Sequence, residues 1–102
     1  LLVDAREVRS QQDRNYFTQK LAAAGVRCEQ RVLELGDFVW IGRDRNAEGS
    51  DEIVLDWIIE RKLESDLVHS IIDGRFAEQK QRLRRCGLPH VVYLVEQGGN
   101  AD

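Results

Sequence analysis

The chain has 102 residues, 42% of them hydrophobic and 32% charged, with a formal net charge of −3. That length gives one domain with enough apolar material for a layered core. The negative balance excludes a globally basic nucleic-acid binder, so any phosphate contact must come from a local patch, and no apolar run approaches the roughly 20 residues of a membrane-spanning helix.

Leu1 to Asp4 reads as a short buried strand ending in an acid, and Arg6 to Gln12 as a polar loop. Asn15 to Ala24 carries Phe17, Leu21 and Ala24 at helical spacing, with Gly25 as its stop. Val26 to Leu35 reads as a second strand, after which Gly36 turns the chain into a third, Asp37 to Gly42. The polar run Arg43 to Asp51 reads as an exposed hairpin loop. Glu52 to Lys62 is β-branched and aromatic and predicts a fourth strand.

Glu64 to Asp73 predicts a helix with Leu67, Ile71 and Ile72 on one side, broken by Gly74. Arg75 to Cys86 predicts a second, with Phe76, Leu83 and the stem of Lys80 at three- to four-residue spacing, Gly87 as cap and Pro89 beyond. His90 to Glu96 is a final apolar strand. Strand, helix, three strands, two helices and a strand make an α/β sandwich around a mixed central sheet. The middle strands, joined by hairpins, are expected to be antiparallel. The last, reached through helices, is expected to be parallel to its neighbour.

The two cysteines, Cys28 and Cys86, lack zinc-site spacing, and His69 and His90 do not complete one. Free thiols of an intracellular domain are expected. The sequence contains no Met, which predicts a domain excised from a longer protein.

The chemistry concentrates in Glu60-Arg61-Lys62, with Asp66 beyond and Gly36-Asp37 before. On a strand, Glu60 and Lys62 point to the same face. If the third and fourth strands pair, Asp37 converges on Glu60. Phosphodiester hydrolysis builds negative charge on the phosphate and the leaving oxygen. Mg²⁺ suits it, held by one or two carboxylates, waters and the substrate phosphate. Lys62 is then placed to orient or deprotonate the attacking water, or to neutralise transition-state charge. An acid and a lysine two apart on a strand also occur on ordinary solvated faces, so the pair alone does not identify a nuclease.

The longer pattern is more specific. Gly36-Asp37, Glu60-Arg61-Lys62 and Asp66 resemble the GD…ERKxxxD signature of the XPF-type structure-selective endonucleases. Val3-Asp4-Ala5-Arg6-Glu7 is similar to that family's first strand, and Ser70 to Leu83 to its helical segment. The stretch SIIDGRFAEQKQRLRRCGL and the closing VYLVE resemble most the Mus/Eme-type branch, the eukaryotic crossover-junction endonucleases.

The resemblance spans nearly the whole chain. It implies a restriction-endonuclease-like domain that uses Mg²⁺ or Mn²⁺ to cut branched DNA: 3′ flaps, forks and nicked Holliday junctions, in recombination and fork repair in the nucleus. It also implies a heterodimer in which the active subunit pairs with a catalytically degenerate paralogue. The family's helix-hairpin-helix module is absent from these residues.

Carried over by position, Asp37 and Glu60 are expected metal ligands, with the Arg61 carbonyl as a further one. Lys62 is the expected catalytic lysine. Asp4 and Glu7 line the site through water or a second ion, and Asp66 is catalytic or second to the ligands. No signature position is degraded, which matches the active subunit.

Several residues keep two readings. Arg61 points away from Glu60 and is expected in a buried ion pair, with Asp66 as the candidate partner. Asp66, near a helix start, serves equally well as a cap. Arg75, Lys80, Arg82, Arg84 and Arg85 form the dense basic stretch. Of these, Arg75, Lys80, Arg82 and Arg85 are either DNA contacts or a solvated surface. Trp40 and Trp57 are read as core, and His69 as surface. Two rival functions stand beside the nuclease: a non-catalytic dimerisation module of the same family, and a related flap nuclease or resolvase acting as a homodimer.

Overall fold

The computed structural model describes residues 1–6, 15–43 and 52–97. Five strands form one mixed sheet in the order β2-β1-β3-β4-β5, where β1 is Leu2–Asp4, β2 Glu29–Arg31, β3 Phe38–Arg43, β4 Glu52–Leu63 and β5 His90–Glu96. The helices are α1 (Tyr16–Ala23), α2 (Glu64–Ile72) and α3 (Arg75–Arg84). The mixed α/β architecture is therefore the expected one. Among the described residues, no helix is long and apolar enough to cross a membrane.

β3 and β4 pair antiparallel, and β5 returns through α2 and α3 to run parallel to β4. The expected β2–β3 hairpin is absent. β1 lies between the two, parallel to β2 and antiparallel to β3. The second strand is also shorter than expected, three residues in place of Val26 to Leu35. β1 offers only three residues to pair with. The next backbone N–H after the ladder, that of Leu33, donates instead to Asp4 Oδ1 at 3.2 Å, and Val32 is left 73% exposed.

Strand alternation divides the buried side chains between two faces. Leu2, Val39 and Ile58 meet Leu83 of α3 on one face, joined by Leu33, Leu35, Cys86, Val91 and Tyr93. On the other, Phe17 of α1 meets Phe38 edge-to-face at 5.9 Å between ring centres, a preferred aromatic geometry. By the same alternation Asp4, Glu60 and Lys62 share the α3 face, and Ile59 and Arg61 the α1 face.

Between the Val39–Ile58 and Ile41–Val54 pairs, β4 spends four steps against two on β3. Such a bulge bends the strand and re-aims its side chains. Trp57 lies in it and is not core, as expected, but 46% exposed. It stacks on His90 at 4.2 Å, its register partner on β5. Trp40 is half-buried, as a core-facing reading allows. Cys28 and Cys86 are free thiols.

Beyond the short β1, an ion cluster bridges the strands around it. Arg31 takes both oxygens of Glu52 at 2.6 and 2.7 Å, and Arg43 joins Glu52 to Glu29. The hydrogen bonds from Arg31, then Arg43, hold Glu52 at a pKa of about 2.

Candidate active site

Gly36 positions the first carboxylate. Its φ is +81°, and a Cβ there would lie 2.5 Å from Ile58 Cγ1 and 2.6 Å from its Cδ1. Only glycine meets both demands. The tight passage delivers Asp37 between two strands. Its N–H donates to the Ile59 carbonyl, and its own carbonyl accepts the Asp4 N–H, each at 2.8 Å. The Asp37 side chain then accepts the Arg61 N–H at Oδ2, 2.7 Å away. This brings its carboxylate beside that of Glu60.

Glu60 is 9% exposed. Its Oε1 accepts a hydrogen bond from Gln79 Nε2 of α3. Burial, then the charge of Asp37 and a hydrogen bond with it, push the Glu60 pKa up to about 7; the charge of Lys62 and the Gln79 bond oppose the rise. Two carboxylates thus crowd one end of a cleft of about 250 Å³, whose polar lining includes Asp4, Arg6, Asp37, Glu60, Gln79 and Arg82. Tyr93, opposite Glu60 on β5, has its pKa raised by burial and by that same charge.

Asp4 is 5% exposed. Its carboxylate faces Arg6, whose Nε lies 3.2 and 3.3 Å from its two oxygens, and the Leu33 N–H. It sits in the cleft wall but is already neutralised by a cation.

The cleft therefore gathers Asp4, Asp37, Glu60 and Arg82 of the sequence-predicted residues. Lys62 is half-buried on the same strand face, close enough for its charge to favour ionised Glu60. Asp66 stands exposed in the first turn of α2, without a capping hydrogen bond and outside the cleft lining. Glu7 lies outside the described residues.

Arg61 is not paired with Asp66. Its Nε meets Glu96 Oε1 at 2.9 Å, and its guanidinium lies over the Phe17 ring at 4.8 Å. The reason is alternation: Arg61 points to the α1 face, where β5 supplies Glu96 from two positions along the adjoining strand.

Of the basic residues, Arg75 pairs with Asp73 at 2.7 Å. Lys80 sits 6.0 Å from the Phe76 ring centre. Arg85 reaches Gln81 at 3.3 Å.

Three polar residues of the cleft lining carried no sequence-based expectation of their own: Arg6, Glu34 and Gln79. The spacing Phe76–Gln79–Leu83 is a usable signal for the last, because it puts a glutamine on the inward face of α3.

The donor set fits a hard divalent cation. Asp37 and Glu60 offer anionic oxygens whose mutual repulsion a cation would relieve. One or two carboxylates completed by water and substrate oxygens are the usual Mg²⁺ arrangement. No cluster of three or more His, Cys, Asp or Glu side chains suited to a metal occurs among the described residues. The fit is thus to an ion shared with water and substrate, not to a closed protein cage.

The ERCC4 domain family matches residues 3–102. The chain belongs to that family. The mixed sheet with flanking helices is accordingly the restriction-endonuclease-like fold of an ERCC4 domain.

The chain is 48% identical to "Crossover junction endonuclease mus81" of Aspergillus fumigatus over 104 residues, covering 95% of this chain and 17% of that protein. It is 44% identical to the Debaryomyces hansenii protein of the same name, over 100% of this chain and 15% of that one. It is 46% identical to "Probable crossover junction endonuclease mus81" of Dictyostelium discoideum, over 93% and 10%. The chain spans a fifth or less of the length of the curated relatives it matches.

Proposed function

We propose that this ERCC4 domain is the catalytic domain of a metal-dependent, structure-selective DNA endonuclease. Its substrates are branched DNAs: 3′ flaps, forks and nicked Holliday junctions, handled in recombination and fork repair in the nucleus. The observation that carries the reading is the Asp37–Glu60 carboxylate pair in one cleft, with Lys62 on the strand face beside it. Relatives named crossover junction endonucleases support the substrate class.

In this reading Asp37 and Glu60 hold Mg²⁺, with Mn²⁺ able to replace it, and the carbonyl of Arg61, the next residue after Glu60, and Asp4, in the lining of the same cleft, contribute. A bound Mg²⁺ supplies Lewis-acid polarisation of the phosphoryl oxygen and a lowered pKa of bound water. Lys62 orients the attacking water and offsets charge that builds on the phosphate. Arg82, in the cleft lining, meets a neighbouring phosphate and positions the strand without reading sequence.

The partner is a catalytically degenerate paralogue. α2 leaves Val68, Ile71 and Ile72 exposed and the edge strand β5 leaves Leu94 and Val95 exposed, one on each sheet face, which supports burial of α2 and this sheet edge against another chain. The same surface favours the rival reading, a domain kept for dimerisation alone.

The test is incision of a 3′ flap and of a nicked junction by the full-length complex. Asp37→Ala, Glu60→Ala and Lys62→Ala are each expected to abolish cutting with junction binding kept. Unchanged incision by all three would establish the dimerisation reading. Parallel loss of binding and cutting would make the residues structural.

A further inference from the structure

Gln79 occupies a position that α3 otherwise gives to apolar side chains. Phe76, three residues before it, packs on Tyr93 at 5.2 Å between ring centres. Leu83, four residues after it, is 1% exposed. Those spacings put all three on one helix face. A glutamine there loses hydration and rotamer freedom, so its polar atoms need partners.

One atom has its partner. Nε2 donates to Glu60 Oε1. With Glu60 ionised, only this orientation avoids setting two acceptor oxygens against each other. The other atom has none. Gln79 Oε1 is buried without a hydrogen-bond partner among the described residues, and so is the hydroxyl of Tyr93, which stands opposite Glu60 in the sheet. Buried orphan polar atoms are few in folded proteins and call for a reason. One belongs to the side chain that bonds Glu60 and the other to the strand neighbour of Glu60, and Gln79 lines the cleft that holds Asp37 and Glu60.

Packing does not supply the reason. An aliphatic side chain of similar length would fill the slot between Phe76 and Leu83 with no orphan acceptor.

We propose that Gln79 is a positioning residue for phosphodiester hydrolysis. Its amide N–H holds the Glu60 carboxylate toward Asp37, and the orphan amide oxygen is the cost of presenting that N–H. The inference rests on the nuclease reading above. Groups that orient metal-binding carboxylates through hydrogen bonds typically change affinity or activity by about 10–100-fold when removed.

The experiment uses the full-length protein with its partner subunit. Gln79→Leu, Gln79→Met and Glu60→Ala are compared with wild type. Mn²⁺ affinity is read by electron paramagnetic resonance without DNA, single-turnover flap cutting by gel, and folding by thermal melting. Both Gln79 variants are expected to melt as wild type does and to bind the flap within about twofold. Mn²⁺ affinity and cutting rate are each expected to fall about 10–100-fold. Gln79→Met keeps the test decisive if Gln79→Leu misfolds.

Wild-type Mn²⁺ affinity and cutting rate in the folded variants would overturn the proposal. So would a lower melting temperature with Mn²⁺ affinity intact, which marks a packing role. If Glu60→Ala cuts like wild type, the nuclease reading itself falls and takes this proposal with it.

Discussion

The backbone N–H of Arg61 donates to Oδ2 of Asp37 at 2.7 Å, so the residue after Glu60 holds the carboxylate that faces Glu60. The bond links the two halves of the GD…ERK pattern. A main-chain donor on β4 fixes the aspartate, and the next side chain toward the N-terminus supplies the second acid. Because the donor is backbone, no substitution at Arg61 other than proline removes it. Arg61's side chain acts on the opposite face, with Glu96 and Phe17.

Gly36→Ala is expected to damage stability and the site together. A methyl group at φ +81° would be strained in its backbone and would overlap Ile58, a residue only 2% exposed. Strain of this kind costs on the order of 1–3 kcal/mol, with the displaced core side chain adding to it. Chemical denaturation should show a lower midpoint with an unchanged slope. Any folded fraction should bind Mn²⁺ more weakly than wild type, because Asp37 shifts with Gly36. A variant as stable as wild type with full Mn²⁺ affinity would contradict the role given to this glycine.

Arg61→Met separates the two faces of β4. The Arg61 side chain is 9% exposed, and its partner Glu96 is 46% exposed. Removing the cation therefore leaves a carboxylate that can still reach water, and the loss should stay near 1–2 kcal/mol, below that of a fully buried pair. The Arg61 N–H still holds Asp37. Thermal melting should fall by several degrees while Mn²⁺ affinity stays within about twofold. A large drop in affinity at unchanged stability would place the guanidinium in the chemistry.

Much of the site was legible because its determinants are local. The two-residue period of a strand put Glu60 and Lys62 on one face, and Gly36 announced a turn before Asp37. What the sequence did not reveal depends on which segments meet across the fold. The insertion of β1 between β2 and β3 is set by long-range pairing, and no local pattern states it. Arg61's partner turned out to be Glu96, 35 residues away, where the nearby Asp66 was expected. Trp57 has the composition of a core residue, and only the bulge beside it turns it outward. The Phe76–Gln79–Leu83 spacing places Gln79 on the inward face of α3, but its partner, Glu60 on β4, is fixed by the fold and not by any local pattern.

Arg82 and Arg85 should behave differently on DNA, although both belong to the basic stretch. Arg82 lines the cleft. Arg85 is exposed beyond the end of α3 and reaches Gln81. Arg82→Glu is expected to weaken flap binding at least tenfold across sequences and to lower the salt slope by about one. Arg85→Glu is expected to change affinity less than threefold. Fluorescence anisotropy from low to moderate salt reads both. Equal effects would mean that general charge, not the cleft, governs binding.

The Glu60 carboxyl gives the metal-free domain a pH-dependent stability with an unusual sign. Its pKa is about 7 in the fold against 4.5 for an unperturbed glutamate, raised first by burial and then by Asp37. The fold thus binds the proton more tightly than the unfolded chain does. The resulting stability is fully present below about pH 4.5 and is lost as pH rises through about 7. Glu29, Glu52 and Asp73 have lowered values and lose their contributions only at more acid pH, outside this window. Melting in a chelator from pH 4.5 to 8 should show wild type falling relative to Glu60→Gln, a comparison that cancels the histidines. Added Mn²⁺ should flatten the difference, because a bound cation favours the ionised carboxylate. Parallel curves for the two proteins in chelator would mean that Glu60 ionises in the fold as an ordinary surface acid does.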